Sequence, residues 1–428
     1  MSSFVIEGGH SLRGDVVPSG NKNAALALLP ACILTDEPVI LHNIPDIGDV
    51  RTFHQILQSI GVQIEILNPN SWRLHARQVN RADLDPDLCR KIRASILLAG
   101  PMLGRSGGID IPPPGGDVIG RRRVDTHLLA LEALGAKTKF DGRLFQLRAP
   151  RRLSGANILL DEASVTATEN AVMASVTAKG STIIRNAASE PHIQDLCNFL
   201  NHLGARIENV GSNTLHIEGV DELHGGEYTI GADYMEVVSF IGAAVVTGGE
   251  IRIRNASPEH LDMVRLNFAR LGVSWNVEGN DVIVPGKQSL KVLSDVGGAI
   301  PEISVMPWPA FPTDLMSIAI VVATQATGTV LFHDWMFEGR MFFTDKLVSM
   351  GARTLLCDPH RCIVQGPTKL VGERLESPDI RAGLALVLAA LAADGTSHIR
   401  NILQIERGYE RIDEKLKMLG ARIERVED

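Results

Sequence analysis

Cysteine is scarce in this chain, and the shortage limits what the protein can be. The five cysteines form no CxxC pair, and the string CDPHRC (357–362) falls at a predicted hairpin turn. Structural metal sites need closely spaced, convergent ligands. We therefore predict two thiols at 357–362 rather than a metal site, and the unpaired cysteines fit a reducing cytoplasm.

Long apolar runs are also missing. The longest run, residues 382–393, has 12 residues, which is too few to span a bilayer. The first ten residues, MSSFVIEGGH, contain neither the basic nor the apolar part of a signal peptide. We expect a cytoplasmic protein that does not bind a membrane.

Basic stretches are short, and the net charge is −8. Nucleic-acid affinity depends on many lysines and arginines that neutralise phosphates, so nucleic acid is not an expected partner. Arginines that do cluster would instead bind a small anion.

A repeat of near 70 residues is what the chain does contain. Six times, a helix-like stretch ends in a hydrophobic residue plus glycine and changes to a strand-like stretch, at intervals of 68 to 79 residues. Each glycine suits the C′ position of a helix, where φ is positive. The six junctions are Gly61, Gly135, Gly204, Gly272, Gly351 and Gly420.

The third copy shows the unit most clearly. GSTIIRN (180–186) alternates as a half-buried strand does, and HIQDLCNFLNHLG (192–204) has apolar residues at helical spacing. ARIENVGSNTLHIEG (205–219) reads as two strands around a turn. Each unit is predicted to be β-α-β-α-β-β.

The sixth copy ends without its last strand, and SSFVIEGG (2–9) can supply it. We infer that residues 1 to about 20 close that copy, so both termini share one domain. Six units then divide into two α/β domains of three, residues 22–230 and residues 1–21 plus 231–428, joined by a double crossover. A cleft between lobes commonly holds a ligand.

The second unit breaks the repeat with IDIPPPGGDVIGRRRVDTH (109–127). Glycines let backbone N–H groups approach an anion, and the next helix N-terminus adds positive potential. Arginines supply forked donors for phosphate or carboxylate. The alternative is a solvated basic loop.

Other polar residues stand at the starts of apolar helices or recur singly. Each alone has an ordinary interpretation, as a surface residue or a helix cap. Together they suit acid/base chemistry on a compact polyanion. The set is Lys22, Asn23, Asp314, Arg340, Arg381 and Arg407.

These strings closely resemble the enolpyruvyl transferases, and the resemblance covers nearly the whole chain. The matching segments are SGNKNAAL (19–26), RASI (93–96), PGGxxIGxRxVDxH (114–127), SVxATEN (164–170), FPTD (311–314), FExR (337–340), DIRA (379–382) and RGYERIxxKLxxLGA (407–421). The resemblance implies two inside-out α/β domains. It also implies transfer of the enolpyruvyl group of phosphoenolpyruvate to the 3-hydroxyl of UDP-N-acetylglucosamine, the first committed step of peptidoglycan synthesis. No metal, organic cofactor or protein partner is implied.

The resemblance also assigns roles to residues of this chain. It predicts that the catalytic residues are Lys22, Asp117, Asp314 and Arg407. Asp314 would be the base, and Asp117 would lie on a lid formed by loop 112–124. The residues that would bind phosphoenolpyruvate are Lys22, Asn23, Arg93, Arg122, Arg381 and Arg407. The residues that would bind the UDP-sugar are Asn23, Arg93, Arg122, Arg123, Val124, Asp125, Thr126, Ser164, Val165, Asp314 and Met336.

Some residues depart from the family pattern. Asp117 replaces the usual acidic cysteine, which predicts resistance to fosfomycin because a carboxylate is a poorer nucleophile than a thiolate. Near the nucleotide, the departures are Arg123 for proline, Glu162 for lysine, Thr166 for glycine and Tyr234 for arginine. Two alternatives follow from these departures. One is a transferase with another uridine nucleotide acceptor, and the other is a non-catalytic nucleotide-sugar binding protein.

Overall fold

The structure is a computed structural model that describes residues 2–79, 84–117, 119–149 and 152–427. Its strands are β1 Ser2–Glu7, β2 Arg13–Val16, β3 Val39–His42, β4 Gln63–Asn68, β5 Ser71–His75, β6 Gly108–Ile111, β7 Lys137–Phe140, β8 Phe145–Arg148, β9 Asn157–Leu159, β10 Ser181–Arg185, β11 Arg206–Glu208, β12 Thr214–Glu218, β13 Gly226–Thr229, β14 Glu250–Ile253, β15 Asn276–Glu278, β16 Asp281–Val284, β17 Glu302–Ser304, β18 Gly328–His333, β19 Arg353–Asp358, β20 Arg361–Gly366, β21 Arg374–Glu376, β22 Thr396–Arg400 and β23 Arg422–Glu427.

Helices alternate with these strands. They are α1 Lys22–Ala31, α2 Gly48–Ser59, α3 Pro86–Lys91, α4 Ala99–Ser106, α5 Asp125–Ala133, α6 Val165–Ser175, α7 Pro191–His202, α8 Tyr234–Val246, α9 Asp262–Ala269, α10 Met316–Gln325, α11 Thr344–Ser349, α12 Ile380–Ala392, α13 Leu403–Glu406 and α14 Ile412–Met418. Within the ranges given above, none of the helices is long and apolar enough to cross a membrane.

The predicted repeat is confirmed. The six junction glycines all have positive φ, between 82° and 99°. Helix α7 ends at His202 and β11 begins at Arg206, on either side of Gly204. The third repeat runs β9-α6-β10-α7-β11-β12, as the sequence predicts.

One pairing pattern recurs in the sheets. In the third repeat β9 is parallel to β10, while β12 is antiparallel to both β10 and β11. The same order occurs in β13-β3-β5-β4, β15-β16-β14-β2, β17-β18-β20-β19 and β21-β22-β1-β23. Over the described residues, the sheet β6-β8-β7 has three strands.

The N-terminal segment contributes to two sheets. Strand β1 pairs with β22 and β23, so the prediction that it closes the sixth repeat is confirmed. For β2 that prediction is wrong, because β2 lies parallel to β14 in the fourth repeat. Strand β13 is the strand nearest before α8, but it pairs with β3 of the first repeat. The position beside β14 is therefore filled from the N-terminus.

The chain divides into two compact units. Among the described residues, those within 20–117 and 122–231 form the first unit, and residues 2–19, 119–121 and 232–427 form the second. Each unit contains three of the sheets.

Helices occupy the core of the second unit. Helices α8, α10 and α12 pack against one another, and α12 is buried at every position from Ile380 to Leu391. Helices that are apolar all round belong in a core. In the first unit, α1, α4 and α6 are likewise mostly buried.

Candidate active site

In the first unit, the sequence around α1 places Lys22 in a buried position. Asn21 caps the helix, since its side chain accepts a hydrogen bond from the backbone N–H of Ala24 at 3.0 Å. Lys22 Nζ lies 2.9 Å from Asp49 Oδ2, and both side chains are buried. Asn23 follows on α1 and is half-buried. Sequence reasoning missed Asp49, because an acidic residue in the first turn of a helix resembles a dipole partner.

The Gly-Gly pair of loop 112–117 has a different role from the one predicted. The N–H groups of Gly115 and Gly116 donate to the carbonyls of Cys89 and Arg90, at 3.1 and 3.3 Å. A Cβ on Gly115 would lie 1.7 Å from the Arg90 carbonyl oxygen, so only glycine fits there. The prediction that these N–H groups face an anion is wrong, because the loop uses them to pack on the end of α3. Asp117 follows and is half-buried.

The next loop residues, 119–121, form part of the second unit. The carbonyl of Ile119 accepts a hydrogen bond from Gly339 N–H at 2.8 Å, and the N–H of Arg121 donates to Glu338 Oε2 at 3.4 Å. Ile119 is buried, and the side chain of Arg121 is exposed. Backbone groups of the loop are thus bound by the FExR segment.

Arg93 and Arg122 form a cationic pair in the first unit. Arg93 Nη2 donates to the Arg123 carbonyl at 2.6 Å, while its buried Nε has no partner among the described residues. Burial and then the like charge of Arg122 lower the pKa of Arg93 to about 10, with Glu162 acting in the opposite direction. Arg93 therefore remains charged at neutral pH, beside the second positive charge of Arg122.

Asp161 connects the loop before α5 to the loop before α6. Its Oδ1 accepts the Thr126 hydroxyl at 2.7 Å, and its Oδ2 accepts Arg123 Nη2 at 3.0 Å. Arg123 Nε also lies 3.4 Å from Asp125 Oδ2. The Thr126 bond has the largest effect and, together with Arg123, holds the pKa of Asp161 below its usual range against the opposing effect of burial. Val124, between them, is half-buried.

A buried network fixes the start of α5 against α6. His127 Nδ1 lies 2.9 Å from Asn170 Nδ2, which makes His127 the acceptor, and its Nε2 lies 3.1 Å from the Thr166 hydroxyl. Asn170 also donates to the Ile96 carbonyl and accepts from Gly100 N–H, at 2.9 and 2.7 Å. Burial, and to a smaller extent the Arg93 charge, lower the pKa of His127 to about 3. Thr166, a departure from the family pattern, is therefore accommodated by this histidine.

Ser164 and Val165 begin α6. Ser164 is the N-cap, and its Oγ accepts from Ala167 N–H at 3.4 Å. Both residues are half-buried, while Glu162 is exposed. The residues predicted for the nucleotide in the first unit thus occupy two neighbouring loops, at 122–126 and 161–165.

In the second unit, two arginines bind one carboxylate. Asp314 lies in a 3₁₀ turn before α10, and that turn has no side-chain cap. Arg340 Nη2 donates to Asp314 Oδ1, and Arg381 Nε donates to Asp314 Oδ2 at 3.1 Å. Asp314 is therefore a partner of arginines and not a simple helix cap.

Arg381 is held on several sides. Asp379 caps α12 by accepting from Arg381 N–H at 2.8 Å, and the guanidinium lies 5.3 Å from the Tyr409 ring centroid. Burial works against its charge, but Tyr409, Asp314 and Asp233 together raise the pKa of Arg381 above its ordinary value. Arg407 is half-buried, and its Nη1 donates to Gln404 Oε1 at 2.9 Å.

Asp334 organises the loops on either side of Asp314 and was missed in the sequence. This fully buried carboxylate accepts the Thr313 hydroxyl at 2.5 Å and the N–H groups of Met336 and Phe337 at 3.0 and 3.2 Å. Burial raises the pKa of Asp334 in spite of these donors. Met336, predicted for the sugar, is thus placed by its own backbone N–H.

Two remaining predictions concern residues away from this set. Tyr234, another departure, is buried, and its ring meets Trp308 edge-on with centroids 5.8 Å apart. The string 357–362 turns between β19 and β20, as the hairpin prediction states. Cys357 is exposed there and Cys362 is buried.

The family model that matches is described as EPSP synthase (3-phosphoshikimate 1-carboxyvinyltransferase), and it covers residues 6–416. The chain belongs to the EPSP synthase family of enolpyruvyl transferases. The predicted family is confirmed.

Curated members of this enolpyruvyl transferase family match the whole chain. A UDP-N-acetylglucosamine 1-carboxyvinyltransferase from Bradyrhizobium diazoefficiens is 56% identical over 99% of this chain and 98% of its own length. One from Treponema denticola is 53% identical over 99% of both chains.

Solved structures agree on the enolpyruvyl transferase fold. The transferase NikO from Streptomyces tendae matches with a TM-score of 0.87 at 26% identity, over 99% of both chains. EPSP synthase from Acinetobacter baumannii matches with a TM-score of 0.77 at 17% identity over 100% of both chains, which speaks to the fold alone. The predicted fold class is confirmed.

Proposed function

We propose that this enolpyruvyl transferase moves the enolpyruvyl group of phosphoenolpyruvate to the 3-hydroxyl of UDP-N-acetylglucosamine and releases phosphate. The observation that carries the proposal is full-length identity of 53–56% to relatives that bear this activity's name. The reaction would be an addition followed by an elimination, and it would begin peptidoglycan synthesis in the cytoplasm.

In the first unit, the cations bind anionic groups of phosphoenolpyruvate. Arg93 and Arg122 bring two like charges together, so a phosphate or carboxylate of the substrate is stabilised beside them. Lys22 is positioned by Asp49, and an ammonium has further donors to offer a substrate. Asn23 adds an amide beside it.

In the second unit, Asp314 acts as the base that removes the proton from the sugar hydroxyl. Arg340 and Arg381 keep its carboxylate in one orientation, which a general base requires. Arg381 and Arg407 supply positive charge to the anionic substrate. Met336 contacts the sugar nucleotide.

Asp117 acts as the proton donor for the methylene carbon of phosphoenolpyruvate. A carboxyl in water is ionised near neutral pH, so this role needs a surrounding that stabilises the protonated form. Closure of the loop over the substrate would exclude water and meet that need.

The nucleotide half of the acceptor binds to the loops at 122–126 and 164–165. Arg122 supplies charge, the backbone of Arg123 to Thr126 faces the base, and Ser164 and Val165 lie at the N-terminus of α6. Glu162 favours a second candidate, a transferase for another uridine nucleotide, because an acid in this loop repels phosphate.

The test is phosphate release from phosphoenolpyruvate with a panel of uridine nucleotides, each beside a no-acceptor control. Release that requires UDP-N-acetylglucosamine, with the enolpyruvyl product seen by mass spectrometry, supports the proposal. Release with another nucleotide moves the assignment to the second candidate. Tight nucleotide binding without release from any acceptor would indicate a binding protein.

A further inference from the structure

We propose that the ion pair between Arg123 and Asp161 holds the two nucleotide loops of the first unit, at 122–126 and 161–165, in fixed positions relative to each other. This inference rests on the proposed function. The pair is not part of the chemistry, and its effect is on how tightly the UDP-sugar binds.

Three separate segments meet at Arg123. Its side chain donates to Asp161 Oδ2 at 3.0 Å, and its Nε lies 3.4 Å from Asp125 Oδ2. Its backbone carbonyl accepts Arg93 Nη2 at 2.6 Å. The residue therefore joins the cationic pair, the loop before α5 and the loop before α6.

Asp161 has a matching role on the other side. It lies two residues after the end of β9 and three residues before Ser164, the N-cap of α6. Its second oxygen accepts the Thr126 hydroxyl at 2.7 Å, in the first turn of α5. Helix α5 has no side-chain cap of its own, and Asp161 adds a second carboxylate to its first turn, beside Asp125.

The buried side-chain contacts of His127 hold the helices α5 and α6 together, but they do not hold the 122–126 loop at the start of α5. His127 bonds to Thr166 and Asn170, which fixes the helices α5 and α6 below the loops. The 122–126 loop itself is bonded to Asp161 by the side chains of Arg123 and Thr126. Without the ion pair, residues 122–124 would have to be ordered when the nucleotide binds, which lowers affinity.

The experiment is a double-mutant cycle with Arg123→Gln, Asp161→Asn and the double variant. Asp161→Asn retains an oxygen for the Thr126 hydroxyl and removes the attraction to Arg123. We expect each single variant to raise KM for UDP-N-acetylglucosamine about three- to tenfold, and the double variant to be no worse than a single one. The kcat and the KM for phosphoenolpyruvate should stay within about twofold.

Two other patterns overturn the inference. If only Arg123→Gln raises KM, the arginine contacts the nucleotide directly. If the effects of the two single variants add in the double variant, the residues act independently. Arg152→Gln is the matched control, because Arg152 pairs with Asp221 at 2.6 Å elsewhere in the same unit and should leave KM unchanged. Thermal unfolding of each variant checks that the fold is intact.

The inference can also be tested if the proposed function fails. Absence of phosphate release by the unaltered enzyme refutes that function alone. The same four variants are then compared for binding of uridine diphosphate by calorimetry. A coupled rise in Kd supports the positioning role, and equal Kd values overturn it.

Discussion

The two units handle their arginines in opposite ways. In the first unit, burial and then the like charge of Arg122 lower the pKa of Arg93 to about 10. In the second unit, Arg340 and Arg381 share Asp314, and the pKa of Arg381 rises. The first arrangement brings two positive charges together, whereas the second holds a carboxylate between two arginines. This contrast separates residues suited to binding from residues suited to proton transfer.

The sharpest way to break the second arrangement is Asp314→Asn. We expect kcat to fall about 10⁴-fold, because the base is lost and two arginines lose their partner. Steady-state phosphate release measures the loss, and Asp345→Asn is a control on an exposed carboxylate of the same unit. A kcat within tenfold of the unaltered enzyme contradicts the role of Asp314.

Asp117→Asn tests the proposed acid on the lid. An amide cannot donate the proton to carbon, so turnover should fall by about 10²–10⁴-fold. Near-normal turnover would refute the assignment.

Asp117→Cys tests the same position by its nucleophilicity. We expect the unaltered protein to resist fosfomycin and the cysteine variant to be alkylated, since a thiolate attacks the epoxide more readily than a carboxylate does. Mass spectrometry of the intact protein counts the adducts. Stoichiometric labelling of the unaltered protein at low drug concentration would sink this prediction.

The comparison can be made directly with two arginine variants. Arg381→Gln should reduce the free energy of unfolding by about 3 kcal/mol, because it disrupts a buried pair. Arg93→Gln should change it by about 1 kcal/mol or less, because the lost hydrogen bond is offset by relief of repulsion with Arg122. Urea unfolding of both variants measures the difference, and equal losses would erase the contrast.

The last prediction concerns the pH dependence of stability and the buried network of His127. The pKa of His127 is about 3 in the folded protein, whereas an unfolded histidine titrates near 6.5. The unfolded state therefore binds the extra proton, and stability falls as pH drops from about 6.5 toward 3. His127→Gln should flatten this dependence by up to about 1.4 kcal/mol per pH unit. An unchanged slope in acid unfolding would argue against a neutral buried His127.

Much of the fold was accessible from the sequence, because its signals are local. A glycine at each helix end indicates a positive φ there, and alternation of apolar and polar residues indicates a half-buried strand. The partner of β2 was not accessible in this way. Pairing β2 with β14 joins residues more than two hundred positions apart, and no local pattern distinguishes that edge from the sixth repeat.

The site shows the same division. Motifs pointed to Lys22, Arg93 and Asp314, but not to the acids that position their surroundings. Asp161 and Asp334 act through bonds to distant loops, and in sequence each resembles an ordinary turn residue. The Gly115-Gly116 pair gave the opposite error, since its N–H groups bind carbonyls of residues 89 and 90.

The most direct test of the account is phosphate release from phosphoenolpyruvate by the unaltered protein, with and without UDP-N-acetylglucosamine. We predict release only when both substrates are present, together with an enolpyruvyl product on the sugar nucleotide. Phosphate release that is independent of UDP-N-acetylglucosamine, or no release with it, would contradict the account.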